Sequence, residues 1–193
     1  MTLRDDHLEK LRLGELRFRN AKEDDPKLVF PRDQLRALIP MRSGEIFNTQ
    51  KIRQGLEALR KLYSSQGYID FTPIPLTDVD ATHHRISLTL ELDEQKQFLV
   101  EKIEIRGLSP TLEHALRARV KLGDPFNWPL VEGFLKAKKS ELPPDSSPER
   151  VRLARDLKNG TVELLFDFQP CPRYEPPPTS ELPETRLTHL LNQ

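Results

Sequence analysis

Between Gly14 and Asn20, Leu16 and Phe18 alternate with Glu15, Arg17 and Arg19, the period of two that marks a strand with one buried face. Pro31 then opens a short helical pattern with Leu35, Leu38 and Ile39 on its apolar side, and Pro40 limits it. Residues 44–71 read as a longer helix with both ends written in. Asn48 is placed to accept from a backbone N–H one turn on, and Phe47 before it is placed to pack on Ile52. Ile52, Leu56, Leu59 and Tyr63 form one stripe, while Lys51, Arg53, Glu57, Arg60 and Lys61 fall largely elsewhere. Gly67 supplies the left-handed residue of a helix end, with Tyr68 closing over Tyr63. Residues 69–76 read as a strand in which Pro73 and Pro75 remove two donors from the same side, which places it at a sheet edge. Residues 85–93 alternate Ile86, Leu88, Leu90 and Leu92 with polar partners, and residues 81–84 turn the two strands into a hairpin.

From Phe98 the same order begins again, so the chain carries an internal repeat. Ile103 and Ile105 mark a strand, and residues 112–120 a short helix. Gly123, Phe126 and Asn127 then repeat Gly44, Phe47 and Asn48 ahead of a helix with Val131, Phe134 and Leu135 inward. That helix ends before Pro143 and Pro144. Two strands follow around the turn Lys158-Asn159-Gly160, with Val162, Leu164, Phe166 and Phe168 as the inner row. The expected fold is α+β: two tandem β-α-α-β-β units, each a three-stranded mixed sheet with two helices on one face. Residues 11–97 are expected to form the first unit and 98–170 the second. Residues 1–10 read as a flexible lead-in and 171–193 as a Pro-rich tail.

Composition adds mainly exclusions. The 193 residues are 36% hydrophobic and 31% charged, with 30 basic side chains balancing 30 acidic ones. Such a balance argues against a nucleic-acid or anionic-membrane binder. No stretch approaches the roughly 18 apolar residues of a membrane helix, and the first twenty residues hold no apolar signal core. The single cysteine, Cys171, excludes an internal disulfide and lies in the tail without a cationic pocket. His83 and His84 sit in a hairpin turn where their side chains diverge, and His114 has no ligand-type neighbour at useful spacing. The tetrapeptide at residues 182–185 is similar to a sortase signal, but Arg186 stands where glycine is required. No catalytic constellation, cofactor site or metal site is expected.

These elements resemble POTRA (polypeptide-transport-associated) domains. The resemblance rests on Gly-x-x-Phe-Asn at 44–48 and 123–127 and on Leu59-x-x-Leu62-Tyr63-x-x-x-Gly67-Tyr68 in the first unit, and it covers about residues 11–170. The second unit lacks the Leu-Tyr and Gly-Tyr elements. The resemblance implies a periplasmic module, on the periplasmic side of the outer membrane, in barrel assembly or two-partner secretion. Its implied partners are unfolded or β-barrel polypeptides, bound by strand addition, and other subunits of an assembly machinery. No barrel of strands with lipid-facing alternation follows in this chain.

If function lies in a backbone edge, the two copies differ. In the first, the prolines are expected to leave only the start of the edge, near Ile69 and Phe71, open to a strand. In the second, residues 149–157 contain no proline. They are expected to keep every donor and to present Arg150, Arg152 and Asp156 opposite a buried Val151, Leu153 and Leu157, with Ala154 and Arg155 completing the edge. That edge, residues 150–156, is the expected polypeptide site. The alternative is a structural scaffold that binds one fixed folded partner, as in divisome proteins that carry a POTRA unit.

Overall fold

The computed structural model describes residues 11–22, 27–144 and 146–169. The lead-in, the Pro-rich tail with Cys171, and the sortase-like tetrapeptide lie outside the described residues. The first unit runs β1 (Arg12–Asn20), α1 (Arg32–Ala37), α2 (Thr49–Ser64), β2 (Thr72–Asp80) and β3 (Arg85–Asp93). The second runs β4 (Leu99–Arg106), α3 (Pro110–Arg117), α4 (Trp128–Ala137), β5 (Val151–Asp156) and β6 (Thr161–Asp167). Each unit is a three-stranded mixed sheet with its last strand in the middle. The order is β1-β3-β2 in one and β4-β6-β5 in the other, with a parallel and an antiparallel neighbour in each.

The periodicities become two separate cores. In the first, Leu88, Leu90 and Leu92 of β3 meet Leu35 and Ile39 from the α1 region and Ile52, Leu59 and Tyr63 of α2. In the second, Val162, Leu164 and Phe166 meet Leu112 and Leu116 of α3 and Val131, Phe134 and Leu135 of α4. Each fully buried side chain of this size stabilises its unit by roughly 1.5–3 kcal/mol. Gly55 belongs to the buried face of α2, and a Cβ there would lie 2.5 Å from Ile39 Cδ1, so the glycine lets the end of the α1 segment press on the helix.

The Gly-x-x-Phe-Asn element has two tasks. Asn48 and Asn127 cap α2 and α4 by accepting from Lys51 and Leu130 N–H at 3.0 and 2.9 Å. The residues before each cap lie along the start of the first strand. Gly44 N–H donates to Leu13 O, Leu13 N–H to Glu45 O and Phe47 N–H to Leu11 O. In the second unit Gly123 donates to Val100, Val100 to Asp124 and Phe126 to Phe98. The glycines have φ of +85° and +82°, which a side chain disfavours. Both first strands carry an irregularity just beyond this cover, at Leu13/Leu16 and Val100/Lys102.

Helix α2 ends as its sequence requires. Gly67 has φ +85°, and Tyr68 N–H donates to Tyr63 O at 3.1 Å, the long-range bond of a Schellman end. Two boundaries differ from expectation. Strand β2 begins at Thr72 and runs to Asp80, so Ile69 and Phe71 precede it. Strand β5 begins at Val151, because Pro148–Arg150 forms a 3-10 turn that takes Arg150 out of the edge.

Candidate polypeptide-binding edges

Strands β2 and β5 are the antiparallel edges of their sheets. An edge strand turns every second residue's N–H and C=O away from its neighbour. The β2–β3 ladder runs unbroken through Pro73 and Pro75, so those residues occupy positions whose N–H would face outward. The outward set is therefore Pro73, Pro75, Thr77 and Val79, with donors only at Thr77 and Val79. This corrects the expectation for the first edge: its open part is the hairpin end. Ile69 instead packs against the second unit's core, and Phe71 is buried, stacked on Tyr63 at 3.8 Å, with its N–H donated to Tyr68 O.

The β5–β6 hairpin closes over a turn of the same length, and the same phase turns Val151, Leu153 and Arg155 outward. Val151 N–H agrees with this phase, since it donates to Pro148 O within the 3-10 turn. The edge thus offers outward donors at Leu153 and Arg155, fewer than the full set expected. Val151 is buried, Leu153 half-buried against the core, and Arg152, Ala154, Arg155 and Asp156 are exposed. Leu157, expected to be buried, is 62% exposed because the chain has already entered the turn. Arg150 N–H donates to Ser147 O, and its guanidinium donates to Gln169 O at 3.1 Å.

Both hairpins are held by an aspartate in a role that the sequence reading missed. Asp156 accepts from Lys158 N–H, Asn159 N–H and Asn159 Nδ2, and Asp80 accepts from His83 N–H and pairs with His83 Nδ1 at 2.6 Å. Backbone N–H donors favour the carboxylate form and hold both carboxyl groups below the ordinary range. The signal was present as an Asp at the strand end three residues before His or Asn. His83 is thereby a turn residue, and among the described residues no group of three His, Cys, Asp or Glu could hold a metal.

The two units dock through the end of α2. Phe98 N–H donates to Gly67 O at 2.9 Å, and Gln97 Nε2 to Gln66 O. Lys96 Nζ donates to Leu157 O, and Arg155 pairs with Asp70. Arg155 is thus both an edge residue and a contact between units. Nearby, Tyr63 OH donates to Glu94 Oε1 at 2.6 Å, and the same oxygen accepts Val29 N–H at 2.9 Å. Glu94 is 8% exposed. Desolvation, followed by its bond to Glu94, pushes the Tyr63 hydroxyl far above the ordinary phenol range. The Leu-Tyr and Gly-Tyr elements therefore build an aromatic anchor beside the connection between units.

The family model for POTRA, "Surface antigen variable number repeat", matches residues 27–95, from the approach to α1 to the end of β3. The first unit belongs to the POTRA family. The second repeats its strand and helix order, so the chain carries the POTRA fold in tandem. The chain is 29% identical over 107 residues to the outer membrane protein assembly factor BamA of Buchnera aphidicola subsp. Acyrthosiphon pisum (strain APS), across 54% of this chain and 17% of that protein. The crystal structure of POTRA3-5 of Haemophilus influenzae BamA superposes with a TM-score of 0.60 at 17% identity, covering 83% of this chain and 61% of that one. The structure of Haemophilus ducreyi BamA lacking POTRA domains 1-3 gives 0.57 at 16% identity, covering 80% and 28%. The chain spans less than two thirds of each of these relatives.

Proposed function

We propose that the chain is a non-catalytic, periplasmic polypeptide-binding module of outer-membrane protein assembly or secretion, and that it holds an extended client segment as an added strand on β5. In this reading residues 11–97 and 98–170 are the two binding units, and the clients are unfolded or β-barrel polypeptides. The observation that carries it is the outer side of β5: a strand at the sheet edge, with the donors of Leu153 and Arg155 outward and the flanking Arg152 and Ala154 exposed. The similarity to an outer-membrane assembly factor supports the setting.

A second reading has its own observation. Ile74 and Leu76, on one face of β2, are 39% and 41% exposed, an apolar pair that suits a folded partner held by a scaffold. A photoreactive side chain placed at Ala154 or at Leu76 of the whole chain separates the two. Crosslinks from position 154 to extended barrel-strand peptides support client binding on β5. Crosslinks from position 76 alone, to one stoichiometric folded protein, would replace that reading with the scaffold.

A further inference from the structure

The first unit has another edge, β1, whose cover by residues 44–47 ends at Leu13, apart from Ser43 Oγ, which donates to Gly14 O at 2.7 Å. Beyond that point, among the described residues, only β3 bonds the backbone of residues 16–19. Between this stretch and α1 lies an open groove of about 570 Å³, with Leu16 half-buried in its lining. The second unit differs at the corresponding place. There Arg117 of α3 reaches across and donates to Ile103 O of β4 at 3.4 Å. In the first unit the α1 arginine Arg36 turns to Ile39 O and Met41 O instead, which leaves β1 uncapped.

Among the described residues that line the groove, charge has one sign in excess: Arg17, Arg19, Arg32 and Arg36 against Glu15 and Asp33. Arg17 is paired with Glu15 and Arg19 with Glu91. Among the described residues, the guanidinium of Arg36 is bonded only to neutral carbonyls and the Arg32 side chain makes no hydrogen bond or ion pair, so neither is paired with a described carboxylate. We propose that this groove takes an extended acidic polypeptide segment, added as a strand along residues 15–19 with its carboxylates set against Arg32 and Arg36. Backbone pairing supplies the register, and the arginines supply the preference for acidic over neutral sequences. The proposal concerns the opposite edge of the other unit, so it stands or falls separately from client binding on β5.

The test titrates the whole chain with three end-blocked ten-residue peptides in which valine alternates with glutamate, glutamine or lysine, following backbone amides by NMR. The glutamate peptide is expected to move the amides of residues 15–19 and 32–36 and to bind roughly fivefold or more tightly than the glutamine peptide. Arg32→Glu, at an exposed position that bonds nothing the fold needs, should weaken it by a similar factor, and Arg32→Lys should restore most of the loss. Equal binding of the glutamate and glutamine peptides, an unaltered response in Arg32→Glu, or shifts confined to β5 would overturn the proposal. So would inorganic phosphate producing the same shifts at the same concentration, since that would describe an anion site without strand addition.

Discussion

The two units share order, caps and hairpin aspartates, yet they solve the same two problems differently. The first anchors its core on a polar pair, Tyr63 and Glu94, inside a cluster with Phe30, Phe71 and Tyr68. Among the described residues the second has no counterpart, and its core is filled with apolar side chains. Their edges differ as well. Prolines remove two outward donors from β2, a 3-10 turn occupies one on β5, and each edge retains two. A count of donors therefore does not rank them. Position does: those of β2 lie toward its hairpin tip beside apolar Leu76, while those of β5 lie mid-strand and at its junction with the first unit. A repeated fold fixes the frame, and local exceptions to the repeat decide which surface is available.

The largest expected effect separates the cores. Leu59→Ala, at a position with no exposure, should cost the first unit about 2–5 kcal/mol. Hydrogen exchange should show the loss in α2 and β3 while β6 retains its protection; equal losses in both units would make the two cores one. Tyr63→Phe leaves Glu94 without its phenol donor and should cost about 1–3 kcal/mol in urea unfolding. It should also change the alkaline limb. A phenol whose folded pKa is raised contributes stability that is complete below the unfolded value of 10.0 and is lost as pH rises above it. The wild-type midpoint should accordingly fall above pH 10 more steeply than that of Tyr63→Phe.

Glycine substitutions sharpen the comparison at the next level. A Cβ on Gly67 would meet Phe98 O at 2.7 Å, whereas one on Gly123 meets nothing within 4 Å, although both residues have positive φ. Gly123→Ala should cost about 1 kcal/mol for its backbone conformation alone. Gly67→Ala should cost more, about 2 kcal/mol, and should shift the Gln97 and Phe98 amides at the junction. The smallest effect is acid loosening of the hairpins. Carboxylates held below their ordinary pKa contribute stability that is present above it and lost as pH falls, so amides of residues 81–84 and 157–160 should lose protection, relative to their intrinsic exchange rates, below about pH 4.

The frame was legible because its signals are local. Asn48, Gly67 and the stripe through Tyr63 define α2 without reference to anything distant, and the alternation in β3 and β6 does the same. What escaped were pairings between distant residues. Nothing near Glu94 in the chain announces Tyr63, and nothing near Gly44 announces the strand it covers. The edge assignment failed in part for the same reason. Prolines mark which donors are missing, but only the ladder shows that Ile69 and Phe71 lie outside the strand and that Arg152 faces β6. Arg155 was legible as an edge residue and illegible as the partner of Asp70, which lies in the other unit.

The most direct measurement is a backbone-amide NMR titration of the whole chain with extended amphipathic peptides of barrel-strand sequence, run beside two proline variants. Arg155→Pro removes an outward donor from β5 while sparing the ladder to β6, with Arg155→Ala as control for the lost contact to Asp70. Thr77→Pro does the same to β2. If the chain receives strands on β5, shifts will centre on residues 151–156 and vanish in Arg155→Pro, but survive in Arg155→Ala and Thr77→Pro. Shifts on β2 that vanish only in Thr77→Pro, or no edge amide moving at all, would contradict client binding on β5.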